Sequence, residues 1–143
     1  MWETLIDNIK TVLDTLTGDG QKLSKVYDYP ASKIEGYPCV IFYPNTVTND
    51  FFTPSENFKV YNFKLFIVCE TKIAGKQTAF NTYLAWAVDD VVAKFDEEWN
   101  GGVIDGHVFW YKIDSGDWYV DIIQDSEIVV AELSLSIKIT NNN

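Results

Sequence analysis

Residues 2 to about 17 carry one apolar stripe, with Trp2, Leu5, Ile6, Ile9, Val12, Leu13 and Leu16 at spacings of three and four. That period predicts an amphipathic helix. Glu3 and Asp7 sit near its start, where the helix dipole favours negative charge. Thr17-Gly18-Asp19-Gly20 ends it, because glycine readily takes the left-handed conformation that closes helices. A polar stretch follows through Val26 and Tyr27 to Tyr29-Pro30, an extended or turn segment. Cys39, Val40, Ile41, Phe42 and Tyr43 form an apolar run between Pro38 and Pro44, which predicts a strand. From Asn45 to Asn57 the chain is polar apart from Phe51-Phe52, the signature of a long hairpin loop. Residues 58 to 70 alternate as a long strand. Tyr61, Phe63, Leu65, Ile67 and Cys69 lie on one face, and Phe58, Val60, Asn62, Lys64, Phe66 and Val68 on a mixed second face.

Around Ala74-Gly75-Lys76 the period changes from two to about 3.6. Phe80, Tyr83, Leu84, Ala87, Val88, Val91, Val92 and Phe95 define a second helix that ends near Trp99-Asn100-Gly101-Gly102. Three strands are predicted after it: Val103 to Ile113, Trp118 to Gln124, and Glu127 to Ile139. Ser115-Gly116-Asp117 and Asp125-Ser126 supply turns between them. In the last strand Val129, Ala131, Leu133, Leu135, Ile137 and Ile139 face one way, while Glu132, Ser134, Ser136 and Lys138 face the other. The expected fold is a single α+β domain over residues 1–143. It has a mainly antiparallel sheet of about five strands with two helices packed on one face, in the order α-β-β-α-β-β-β.

Charge narrows the functions open to such a domain. The chain holds 21 Asp and Glu against 11 basic residues, a formal net charge of −10, and every basic residue is Lys. A duplex reader needs a basic face and usually the forked guanidinium of Arg. Specific nucleic-acid binding is therefore not expected. Disorder is excluded by 47% hydrophobic and 15% aromatic content. The start of the chain lacks the basic-then-apolar pattern of a secretory signal, and no apolar run approaches the ~20 residues of a bilayer span. A soluble protein with no membrane partner is expected. Cys39 and Cys69, the only cysteines, are read as buried free thiols of a reducing compartment.

Catalytic chemistry finds little support. His107 is the sole histidine, there is no G-x-S-x-G elbow or Walker loop, and a multi-histidine metal site is impossible. Asp96, Glu97 and Glu98 close the second helix, and Asp114, Asp117, Asp121 and Asp125 line a later hairpin. Neither set has EF-hand spacing, and solvated acidic surface is the simpler reading. No cofactor is expected. Large apolar side chains, by contrast, exceed what two helices over one sheet face need. Phe51 and Phe52, flanked by Asn49, Asp50 and Thr53, sit in the polar loop. Phe66 and Val68 lie on the mixed strand face, Trp86 on the flank of helix two, and Trp110 and Trp118 in later strands. Exposed aromatic groups mark interfaces, so Asn49, Asp50, Phe51, Phe52, Thr53, Phe66 and Trp86 are the candidate contact residues.

The string VYDYPASKIEGYPCVIFYPN from Val26, followed by SENFKVYNFKLFIVCE, resembles the tail terminator (tail completion) proteins of long-tailed bacteriophages. The marks are Tyr27 and Tyr29, the Gly36-Tyr37-Pro38 step into a strand, Pro44, and Asn57, Tyr61 and Phe63. The order of elements is similar as well; the stretch His107 to Tyr119 is the least family-like. The resemblance implies a non-enzymatic virion protein at the head-proximal end of the tail, assembled in the host cytoplasm. Its partners would be copies of itself in a ring, typically a hexamer, the tail tube protein, and the head or neck connector. DNA would pass through the ring, with Asp114, Asp117 and Asp121 as candidate lumen-facing acids. The rivals are another head–tail connector or head-completion protein, a small cytoplasmic cation-binding module or enzyme built on the acidic hairpin, and a free-standing monomeric domain.

Overall fold

A computed structural model describes residues 1–53, 56–72, 74–99, 102–104 and 106–141, and for 50–53, 56, 57, 104 and 141 it describes the backbone alone. The first helix, α1 (Trp2–Asp14), buries Leu5, Ile9 and Leu13, three residues on the stripe seen in the sequence. The second, α2, runs without a break through an α-helical turn (Lys76–Thr78), a π-helical stretch (Ala79–Leu84) and a regular helix (Ala85–Glu97). Its π stretch explains one departure from the 3.6-residue pattern. Buried Ala79 and Leu84 are five apart, as i→i+5 bonding requires, and Tyr83, read above as part of the core stripe, is turned out to solvent. Ala87, Val88, Val91 and Phe95 then resume the ordinary spacing inward.

Among the described residues the sheet has six strands rather than about five: β1 (Lys25–Tyr27), β2 (Cys39–Thr53), β3 (Glu56–Glu70), β4 (Gly102–Ile104), β5 (His107–Ile123) and β6 (Ser126–Asn141). Their lateral order is β1-β2-β3-β6-β5-β4. The β1–β2 pair is parallel and the other four pairs are antiparallel. The architecture is α+β, and the chain order differs from α-β-β-α-β-β-β by the extra strand before β2. That strand, β1, is three residues long and its one strand neighbour is β2, at Cys39–Ile41.

Two further expectations are corrected. The hairpin loop predicted over Asn45 to Asn57 is strand almost throughout, because Thr46–Phe51 pair with Asn57–Asn62 across the β2–β3 ladder. Only a bulge at Asn45, between Pro44 and Thr46, interrupts the first part of it. The two strands predicted on either side of Ser115-Gly116-Asp117 are one strand, β5, and the glycine marks a bulge rather than a turn. A side chain at Gly116 would place its Cβ 2.8 Å from the Glu132 carbonyl oxygen, so only glycine lets β5 lie this close to β6 here. The chain reverses instead just before β5, at Gly106 (φ +80°).

One face of the sheet carries the main core. Phe42, Phe63, Leu65, Ile67, Leu133, Leu135 and Ile137 meet the buried stripes of both helices. On the opposite face a smaller cluster of Tyr27, Cys39, Ile41, Val68, Ile128 and Val130 is packed by Ala31, Ile34 and Tyr37 from the β1–β2 connection. Polar bonds hold that connection down. The Glu35 backbone N–H donates to the Tyr27 hydroxyl at 2.8 Å, and the Ile34 N–H donates to Gln124 Oε1 at 3.0 Å. Val68 is therefore core, not surface, which accounts for much of the second face of β3 that looked mixed in sequence.

Candidate interaction surface

The outer strands leave long edges without a strand partner among the described residues. On β2, β1 covers Cys39–Ile41, and the edge from Phe42 to Thr53 is unpaired. Pro44 through Asn49 are all exposed, and no charged residue occurs from Phe42 to Asn49. On β5, β4 covers His107–Phe109, and the Tyr111 N–H donates to the Trp99 carbonyl at 2.8 Å. The edge from Lys112 to Ile123 is unpaired. It carries Lys112, Asp114, Asp117 and Asp121, all exposed, together with the exposed apolar Val120 and Ile122. An open strand edge presents a row of N–H and C=O groups that a further strand can satisfy. Proline, bulges and charges restrain such pairing, and both edges carry some of these devices.

The contact residues predicted from sequence do not form one patch. Asn49 is exposed on the β2 edge. The backbone of Asp50 through Thr53 belongs to β2, but their side chains, the Phe51-Phe52 pair included, lie outside the described residues. Phe66 is half-buried on the helix-free face and stacks on Tyr43 with ring centroids 5.7 Å apart. Trp86 lies on the helix side, 48% exposed, in edge contact with Tyr83 at 5.7 Å. Of the acids expected to line a lumen, Asp114 and Asp121 fall on the helix-free face by register, opposite Ser134 and Ile128, and Asp117 lies in the bulge. That face is mixed in charge: Lys112 stands 3.7 Å from Asp114, and Lys64 is 3.8 Å from Glu132.

A groove of about 400 Å³ was not foreseen in the sequence. Lys22, Tyr37, Pro38, Glu70, Tyr83 and Trp86 line it, and the Lys22 ammonium sits 5.3 Å over the Trp86 ring. Trp86, placed by the sequence on the flank of the second helix, is the one lining residue it offered as a surface group.

The ionisable groups favour packing over chemistry. Cys39 and Cys69 are buried free thiols pushed up to about 12, by burial first and, for Cys39, by its neighbour Cys69 as well. Tyr111 is likewise raised to about 12 by burial and by the charge of Glu98, against an opposing hydrogen bond from Asn8. Thiols held protonated in this way are poor nucleophiles. Among the described residues the buried hydroxyls and thiols belong to Tyr and Cys, no charged side chain is buried, and no cluster of three or more His, Cys, Asp or Glu is placed to hold a metal ion. No helix among them is long and apolar enough to cross a membrane. No protein-family model matches this chain, and no curated protein matches it.

Proposed function

We propose that this chain is a structural subunit of a virion that closes into a ring on the tail tube. In this reading it ends tube polymerisation and offers a joining surface to the head or neck, as the resemblance to tail terminators implies. One observation supports it above the others: a single sheet ends in two long free strand edges of different composition. Two different, complementary patches on one subunit are what a heterologous interface requires, and a heterologous interface that closes makes a ring. The net charge of −10 fits a component beside a DNA channel that does not hold the DNA.

The test combines mass and imaging. Native mass is measured across a concentration series with and without tail tubes, and the mixtures are viewed by negative stain. A discrete ring, hexameric on this reading, seated at tube ends supports the proposal. Rings that bind capsid portals and ignore tubes would move the chain to another head–tail connector role. A chain that stays monomeric with tubes present, and leaves tube length unchanged, overturns it.

A further inference from the structure

Resting on the ring reading, we infer that the interface joins the free edge of β2 in one subunit to the free edge of β5 in the next, antiparallel, so that one sheet continues around the ring. Strand direction comes first. Three antiparallel steps, β2 to β3 to β6 to β5, separate the two edges, so β2 and β5 run in opposite directions. Rotation about an axis roughly along the strands preserves direction. A neighbouring copy therefore offers β5 antiparallel to β2, which is the pairing already used inside the sheet.

The edges also disfavour the simpler two-fold arrangement of β5 with itself. That pairing would bring Asp114, Asp117 and Asp121 of two copies together, and like charges directly opposite each other disfavour a ladder. The β2 edge from Phe42 to Asn49 is uncharged and meets the acidic edge without that cost.

The blocked ends set an offset. β1 occupies one end of the β2 edge, at Cys39–Ile41, while β4 occupies the other end of the sheet on β5, at His107–Phe109. Neighbours cannot meet level and must slide along the strands. The two bulges select the register. Over the stretches that would face each other, each strand carries one extra residue, near Asn45 in β2 and at Gly116-Asp117 in β5; the second irregularity of β2, between Phe51 and Thr53, lies beyond them. Placing the bulges opposite each other puts Thr48 across from Asp114 of the next copy and Tyr43 across from its Tyr119. All four positions belong to the helix-free face. Within one subunit Thr48 is level with Trp110, so this register is offset by four residues. Four residues of ~3.3 Å rise across four strands spaced ~4.8 Å give a strand tilt of about 35°, inside the range that closes sheets into barrels.

Disulfide trapping tests it. Thr48→Cys with Asp114→Cys in one chain introduces thiols that three strand spacings keep apart within the subunit, while Cys39 and Cys69 stay buried and silent. Mild oxidation of assembled rings is expected to give a covalent ladder that ends at the ring number, and neither single variant gives one. A ladder from pairs shifted by two residues, such as Thr46→Cys with Asp114→Cys, overturns the register and keeps the edges. Rings that form but give no ladder with any shifted pair overturn the edge pairing and leave the ring reading standing. Dimers from Thr48→Cys alone overturn it in favour of a two-fold β2 contact. If the unmodified chain never assembles on tubes, the ring reading itself fails and this inference fails with it.

Discussion

The inner strands β3 and β6 and the outer strands β2 and β5 are nearly equal in length, yet they are written differently. Phe63, Leu65, Ile67, Leu133, Leu135 and Ile137 on the inner pair are almost wholly buried beneath the helices. The outer pair is buried only at its covered ends, around Cys39–Phe42 and Phe109–Tyr111; beyond them come Pro44, Thr46, Asn49, Gly116 and a series of acids, with a bulge in each strand. The inner strands thus hold the subunit together. The outer ones are built to stay soluble while keeping a ladder's worth of backbone groups open. Mutations should divide the same way: inner changes act on folding, and outer changes act on assembly.

The largest effect is expected at the centre. Phe63 packs in edge contact with Trp2 at 5.2 Å and tilted against Phe42 at 6.4 Å. Phe63→Ala is expected to cost about 3–5 kcal/mol, seen as a shifted midpoint in urea unfolding. Phe66→Ala, one pleat away on the half-buried face, should cost clearly less. Equal losses would erase the distinction between the two faces.

Next in size is an alkaline effect confined to the covered ground. Cys39, Cys69 and Tyr111 all have folded pKa values near 12, above those of the exposed groups in the unfolded chain. Above pH ~9 the unfolded chain loses protons that the folded one keeps, so the unfolded state binds fewer protons and stability falls with rising pH. The stabilisation is complete below pH ~8.5 and is lost progressively as pH climbs toward 12. Urea midpoints measured from pH 8 to pH 11.5 check it, and Cys39→Ala with Cys69→Ala should flatten the slope.

Gly116→Ala stands between the two classes. The added methyl meets the Glu132 carbonyl at 2.8 Å, so the bulge must open. About 1–3 kcal/mol of destabilisation is expected, by analogy with overpacked sites, together with impaired ring formation if the bulge sets the register. An unaltered midpoint would mean that β5 shifts away from β6 without strain.

How much of this was legible in the sequence follows from the range of the interactions involved. The α1 stripe and the alternation of β6 are local periods, and they carry straight through to the buried residues Leu5, Ile9, Leu13 and Leu133. The long arm of β2 was not legible. Thr46, Thr48 and Asn49 become strand through their partners Asn62, Val60 and Lys59, while Asn, Asp and Pro nearby are locally turn formers. Gly116 was seen, but a turn and a bulge share the same residue. β1 is only three residues long and exists through a parallel contact with distant Cys39–Ile41. Among the contact candidates, Trp86 was correctly placed on the flank of the second helix, yet Tyr83 beside it was hidden by the π stretch, which no regular period anticipates. The free edges could not be seen at all, since an edge is defined by the strand that fails to lie beside it.

The smallest effect on stability should be the most telling about assembly. Thr48 is exposed on the free edge of β2, and in the proposed register it faces Asp114 of the next subunit. Thr48→Asp removes no buried group, so the unfolding midpoint of the subunit should move by no more than about 0.5 kcal/mol. Across the interface it sets two carboxylates opposite each other, a cost of roughly 0.2–1 kcal/mol per contact. Every interface in the ring bears that cost, so sedimentation should show the ring dissociating at higher protein concentration than the parent does. Salt should narrow the gap, because exposed charges are screened within about 10 Å at 0.1 M. Adding Asp114→Lys to the same chain turns the repulsion into an attraction and should restore assembly. A restoration seen only in the double variant isolates the pair, since two distant surface changes would otherwise simply add. If Asp114→Lys leaves the Thr48→Asp defect unrelieved, the two residues do not face each other, and the edges meet in another register or not at all.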